Sequence, residues 1–206
     1  MAAVLDAPPA DLAPRARPGG LRETLLAHAT DPDDPATMAL AGTLAAAFER
    51  HGLLRLPLPR LGAADTESLM RRVFPGAAPA IGYAPAVAVA RREPREDEIE
   101  DLVDLLLEQV SGGRDADAAR WIAHALAAAS LGYDHLWQDL RLPSRGALSA
   151  LLLHWFEPLA RRNVQNMKWK KFFYKQLCER AGLSLCRAPS CQHCDDRPLC
   201  FGPEDA

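Results

Sequence analysis

The chain has 206 residues, of which 49% are hydrophobic and 25% are charged, and its formal net charge at pH 7 is −3. This composition is ordinary for a soluble globular protein with one main domain, and it argues against a disordered or membrane-embedded chain. The negative net charge argues against a general attraction to nucleic acid, so we expect no nucleic-acid partner.

The N-terminal residues show no pattern typical of an export signal. Asp6, Asp11 and several prolines interrupt the stretch in which an apolar signal core would lie. The longest apolar runs are far shorter than the ~20 residues that a membrane span requires. We therefore predict a cytoplasmic protein with no membrane association. Cysteines in that compartment are more often ligands or catalysts than disulfides.

The predicted elements are helices throughout. Residues 1–20 are rich in Ala, Pro, Gly and Arg without apolar periodicity, and they predict a disordered tail. Residues 21–182 predict a helical domain with helices at 21–29, 35–51 behind a cap at Asp33 or Asp34, 65–73, 96–110, 116–130, 134–140, 144–162 and 164–181. Residues 76–90 predict a connector that could hold one short extended segment. No strand alternation competes, so the predicted class is all-α.

Four of the five cysteines lie near the end of the chain in a C-x4-C-x2-C-x5-C array, at Cys186, Cys191, Cys194 and Cys200. Clustered thiolates favour zinc, cuprous copper or iron–sulfur clusters. Structural zinc sites usually use two short-spaced ligand pairs, and here only Cys191 and Cys194 form one. The uneven gaps therefore favour a cuboidal cluster. Residues 183–206 are predicted to be a cysteine-rich cluster-binding loop and C-terminal tail.

Two further residues near the array are candidate ligands. His193 could donate a hydrogen bond to sulfur or bind a metal through nitrogen, and the alternative is a solvent-exposed side chain. Cys178, seven residues before the array, could be a fifth ligand. Its helical setting beside Leu177 favours a packed, inert thiol instead.

The helix that precedes the array is strongly basic. Residues 161–180 contain seven Lys and Arg residues and one Glu, a local charge of +6. Lys168, Lys171 and Lys175 are predicted to share one helix face, and aromatic residues on another face are predicted to pack in the core. The basic face is either a solvated surface or a site that attracts an anionic ligand or an acidic partner protein.

Three segments together resemble a known family. They are His135-Leu-Trp-Gln-Asp-Leu140, the run from Asn166 to Cys178 (Asn-Met-Lys-Trp-Lys-Lys-Phe-Phe-Tyr-Lys-Gln-Leu-Cys), and the cysteine array closing in Cys200-Phe-Gly-Pro203. In order and spacing these resemble the NifQ family of bacterial nitrogen fixation. The resemblance covers about residues 96–203, and the earlier residues match only in helical character.

The resemblance implies a carrier of a molybdenum–iron–sulfur cluster that processes molybdenum and donates it for the iron–molybdenum cofactor of nitrogenase. The cluster ligands would be Cys186, Cys191, Cys194 and Cys200. The expected partners are the nitrogenase reductase protein, the scaffold complex on which the cofactor matures, and molybdate or another molybdenum precursor. Metal delivery needs no general acid or base, so we predict a cofactor-assembly factor with no catalytic residue rather than an enzyme.

Other interpretations of the array remain open at this stage. Molybdate is an anion and would be drawn to Lys168, Lys171 and Lys175, and one metal corner could use His193 or an exchangeable oxygen ligand. A helical iron–sulfur DNA-repair protein has a similar array, but no DNA-gripping hairpin is evident here. A third alternative is a zinc-stabilised interaction module.

Overall fold

The computed structural model describes residues 20–90, 93–183, 197–202 and 204. This part of the chain contains eleven helices: α1 (Leu21–Ala27), α2 (Pro35–His51), α3 (Ala63–Val73), α4 (Ala77–Ile81), α5 (Glu96–Leu107), α6 (Ala116–Ser130), α7 (Leu136–Asp139), α8 (Arg145–Trp155), α9 (Glu157–Ala160), α10 (Trp169–Arg180) and α11 (Arg197–Phe201). No strand occurs in these residues, which confirms the all-α class for them. The predicted tail lies outside the described residues except for Gly20.

Helices α2 and α6 each begin behind a capping aspartate, of which Asp34 was one of two predicted candidates and Asp115 was not predicted. The Asp34 carboxylate accepts a hydrogen bond of 2.9 Å from the Thr37 N–H. The Asp115 carboxylate accepts one of 2.8 Å from the Ala118 N–H. Each cap satisfies a backbone donor that the first turn leaves open. The predicted bounds of both helices, 35–51 and 116–130, are confirmed.

The prediction of a single helix for residues 144–162 is wrong, because the helix is interrupted between α8 and α9. Pro158 has no N–H to continue the helical bonding pattern. Ser111 fills the break from a neighbouring loop. Its N–H donates to the Trp155 carbonyl at 2.8 Å, and its hydroxyl accepts from the Glu157 N–H at 2.9 Å.

The predicted start of the basic helix is also wrong, since α10 begins at Trp169 rather than near residue 164. The Asn163 side chain donates to the Met167 carbonyl and accepts from the Met167 N–H, both at 2.8 Å. Asn166 has a φ of 55°, which no α-helix contains. A side-chain-bonded loop therefore replaces the first predicted turn.

The connector predicted for residues 76–90 contains the short helix α4, which the sequence analysis missed. The short extended segment that was predicted as an alternative is present at Val89. The Leu56 N–H donates to the Val89 carbonyl at 2.9 Å, and the Val89 N–H donates to the Leu54 carbonyl at 3.1 Å. These bonds flank a parallel bridge between Arg55 and Val89.

The core is built around α2 and α6, which pack on each other and on α1, α5 and α8. Its largest fully buried side chains include Trp121, Phe74 and Phe156. Helix α10 closes one side of this core with an aromatic face, as predicted, and the buried members are Trp169, Phe172 and Phe173. Within the described residues no helix is long and apolar enough to cross a membrane.

Candidate metal centre

The predicted cluster ligands are described only in part. Cys186, Cys191 and Cys194 lie outside the described residues, as does His193. Cys200 is half-buried in α11, and Cys178 is half-buried in α10. No three His, Cys, Asp or Glu side chains of the described ranges form a metal-binding group. The four-cysteine ligand set stays a prediction.

Cys200 lies at the N-terminal end of α10. The Lys168 N–H, immediately before that helix, donates to the Cys200 carbonyl at 2.8 Å. Cys200 and Phe201 pack against the core. The turn is closed by the Gly202 N–H, which donates to the Pro198 carbonyl at 2.8 Å. The backbone of Cys200 is therefore held on the helical domain.

The chain enters the cysteine segment at Leu183, just after the C-terminal end of α10. The Leu183 N–H donates to the Cys178 carbonyl at 2.8 Å, just past the last helical turn. Helix α10 has 12 residues, so its two ends are about 18 Å apart. Cys186 follows Leu183 by three residues, whereas Cys200 is held at the far end. The described chain therefore reaches the cysteine segment from one end of α10, and Cys200 is held at the other end.

A buried carboxylate follows Cys200 along the chain. The Glu204 side chain is only 4% exposed, and its oxygens lie 3.3 Å from Arg145 Nε and 3.9 Å from His135 Nδ1. The Arg145 contact is an ion pair without hydrogen-bond geometry. Arg145 Nη2 also donates to the carbonyls of Asn166 at 3.1 Å and Met167 at 3.0 Å.

No role was predicted from the sequence for Glu204, Arg145 or His135. Two signals were available: the Cys200-Phe-Gly-Pro203 motif runs directly into Glu204, and His135 opens one of the three segments that carry the family resemblance. No spacing rule connects a residue at position 204 with partners at 145 and 135, because their contact depends on how distant helices pack.

Most cations of the basic segment are paired. The ion pairs are Arg161–Glu157, Lys170–Asp139, Lys175–Glu179 and Arg180–Glu108. Lys168 and Lys171 have no carboxylate partner among the described residues. Lys168 is the residue immediately before α10, whereas Lys171 and Lys175 lie within the helix, and the prediction that the three share one face stays a prediction. Lys168 and Lys171 are therefore the predicted anion-attracting side chains whose charge is least compensated.

A three-residue network joins α10 to α5. The Arg95 guanidinium donates to Glu98 and to the Tyr174 hydroxyl, at 2.7 and 3.0 Å. The Tyr174 hydroxyl donates in turn to Glu98 at 3.1 Å. Arg95 lowers the pKa of the Glu98 carboxyl, while burial raises the pKa of Tyr174. The network fixes α10 against α5.

The family assignment rests on the whole helical domain together with its cysteine segment. A family model described as NifQ matches residues 24–202. The chain belongs to the NifQ family. This confirms the resemblance seen in the sequence and extends it to the N-terminal helices. It also places the chain in a family of nitrogen fixation.

Curated NifQ proteins from several bacteria are similar to this NifQ-family chain. It is 54% identical over 112 residues to protein NifQ of Azotobacter vinelandii, across 54% of this chain and 56% of that protein. It is 41% identical over 146 residues to protein NifQ of Rhodobacter capsulatus, across 70% of this chain and 76% of that protein. It is 41% identical over 142 residues to the NifQ homolog of Sinorhizobium fredii, across 69% of this chain and 60% of that protein. No solved structure matches the chain.

Proposed function

We propose that this protein carries a molybdenum–iron–sulfur cluster as its cargo and donates the molybdenum for biosynthesis of the iron–molybdenum cofactor of nitrogenase. The observation that carries the proposal is the docking of Cys200 beside Lys168 at the N-terminal end of α10. The ligands would be Cys186, Cys191, Cys194 and Cys200, with His193 as an alternative nitrogen ligand. Four cysteine thiolates are a ligand set that iron–sulfur clusters use.

The charges around Cys200 suit such a cargo. Thiolates and sulfides give a cluster negative charge, and molybdate, the precursor, is an anion. The N-terminal end of a helix carries a partial positive charge, which favours anions nearby. Lys168 and Lys171 add two side-chain cations at the same end of α10. Cations near a binding site raise the local concentration of an anionic ligand.

The proposed role is that of a carrier and not of an enzyme. The expected recipients are the nitrogenase reductase protein and the scaffold complex on which the cofactor matures, and all of these would meet in the cytoplasm. Transfer requires only that metal–thiolate bonds exchange for bonds to the recipient. No general acid or base is assigned to any residue.

Metal analysis after anaerobic purification from molybdate-supplied cells tests the proposal. We expect a brown protein that contains iron and molybdenum and lacks stoichiometric zinc. Replacing Cys200 with Ala should lower the iron and molybdenum content together. A colourless protein with one zinc per chain would overturn the proposal in favour of a zinc-stabilised module.

Selected lysine replacements test the electrostatic part of the proposal. Lys168→Gln with Lys171→Gln should lower the molybdenum-to-iron ratio severalfold, because the anionic precursor is then attracted by two fewer cations at the N-terminal end of α10. Lys175→Gln is the matched control, since Lys175 lies 3.6 Å from Glu179 on the same helix. Molybdenum loading that is unchanged in the double variant would remove the electrostatic explanation while leaving the ligand set in place.

A further inference from the structure

We propose that Glu204 is a positioning residue for Cys200. Its carboxylate, seated between Arg145 and His135, would hold the end of the cysteine segment on the helical domain and so fix where the Cys200 thiolate can bind metal. The metal-binding consequence rests on the proposed function, whereas the positioning itself does not.

Burial of the Glu204 carboxylate is the first support. A free carboxylate on the surface keeps its water, and burial of a charge is costly unless cations and donors compensate for it. The Glu204 side chain is 4% exposed and lies 3.3 Å from Arg145 Nε and 3.9 Å from His135 Nδ1. The carboxylate therefore gives up its water when Glu204 docks, and the contacts with Arg145 and His135 take the place of that water.

The two side chains that contact the Glu204 carboxylate belong to the helical domain. Arg145 is the first residue of α8, and its Nη2 atom donates to the carbonyls of Asn166 and Met167. His135 precedes α7, and its N–H donates to Gln138 Oε1 at 3.1 Å. The Arg145 guanidinium and the His135 backbone thus make contacts with the helical domain that do not involve Glu204.

Glu204 is coupled to Cys200 through a tight turn. The Gly202 N–H donates to the Pro198 carbonyl, and a Cβ at Gly202 would lie 2.4 Å from that oxygen. The turn therefore requires glycine, and it joins α11 closely to Glu204. Loss of the Glu204 contacts would leave Cys200 held by its bond from Lys168 and by the packing of α11.

Alkylation of metal-free protein tests the positioning directly. In a chain whose other four cysteines are replaced by Ser, iodoacetamide would report how often Cys200 leaves its docked position. Glu204→Gln should raise the alkylation rate by about tenfold, because the Arg145 guanidinium loses its counter-charge. Glu204→Asp should give an intermediate rate. Glu100→Gln, which removes an exposed ion pair with Arg60, should leave the rate unchanged.

The outcomes separate this inference from the proposed function. An unchanged alkylation rate in Glu204→Gln, with an unchanged far-UV circular dichroism spectrum, would overturn the positioning role whatever metal the protein carries. In loaded protein we expect Glu204→Gln to lose iron to a ferrous chelator severalfold faster than Glu100→Gln. Faster alkylation with unchanged iron loss would show that Cys200 is not a ligand positioned by Glu204.

Discussion

The Tyr83 side chain shows what burial does to a single polar group. The residue is 3% exposed, and its ring packs against Phe48 with ring centroids 4.6 Å apart. The hydroxyl has no hydrogen-bond partner within the described structure. Burial raises the pKa of Tyr83 from 10.0 to about 12. The folded state therefore favours the neutral phenol more than the unfolded state does.

Tyr83→Phe should change the alkaline limb of the stability curve. The folded pKa is above the unfolded pKa, so the wild-type contribution is present below pH 10 and is lost as the pH rises from 10 to about 12. The variant lacks this loss and should be at least as stable at pH 7, because an unpartnered hydroxyl is removed. Urea unfolding at pH 7 and pH 11 measures both effects.

Tyr133→Phe is the matched control for this measurement, since Tyr133 is fully exposed. It should reproduce the wild-type pH dependence. Equal loss of stability at pH 11 in Tyr83→Phe and the wild type would show that another group controls the alkaline limb.

The effective charge of the basic segment also depends on the contacts that each of its residues makes. The composition of residues 161–180 predicts a local charge of +6. The structure pairs Lys170 with Asp139, and Lys170 also donates to the Gly132 carbonyl at 2.9 Å. Such a cation stabilises the fold and contributes little to the attraction of an anion. A count of lysines therefore overstates the field that a ligand would meet.

At the scale of the elements, α2 approaches a neighbouring segment closely at Gly42. A Cβ at this position would lie 2.2 Å from the Leu140 carbonyl oxygen and 3.0 Å from Arg141 Cβ. The nearest obstacle is backbone and cannot rotate away. Leu140 ends the segment that resembles the NifQ family, so α2 positions that segment on the core.

Gly42→Ala should destabilise the protein by about 1–3 kcal/mol, measured by urea unfolding at pH 7. Alanine raises intrinsic helix stability by about 1 kcal/mol, but the clash with Leu140 forces the helices apart and outweighs that gain. Gly112→Ala is the control, since a Cβ at Gly112 meets nothing within 4 Å. A Gly42→Ala protein as stable as the wild type would mean that α2 shifts at little cost.

At the scale of the whole molecule, the buried core of the described residues is formed without the cysteines of the array. Its buried residues run from Leu25 to Phe173, and the large aromatic residues all come from the helical domain. Cys200 borders this core without being one of its buried residues. We infer that the helical domain folds before metal is bound and serves as the platform on which the cysteine segment is held.

A variant with Cys186, Cys191, Cys194 and Cys200 all replaced by Ala should therefore stay folded. We expect an unchanged far-UV circular dichroism spectrum and an unfolding midpoint lowered by no more than about 4 °C, the equivalent of ~1 kcal/mol in a chain of this size. Unfolding of the metal-free variant at room temperature would instead indicate a structural metal site.

Local sequence determined the class, several helix ends and the family. Asp34 could be proposed as a cap, beside Asp33, because the capping bond spans three residues, and apolar periodicity was enough for an all-α prediction. The array of Cys186, Cys191, Cys194 and Cys200 could be related to metal chemistry from spacing alone.

Tertiary structure decided the features that depend on residues far apart in the chain. Ser111 enters the break between α8 and α9, and its bond to Glu157 joins positions 46 residues apart. Packing likewise places Glu204 against Arg145 and brings Cys200 to Lys168. Sequence spacing reports only contacts within one turn or one helix, whereas these contacts exist because the buried faces of separate helices hold their ends together.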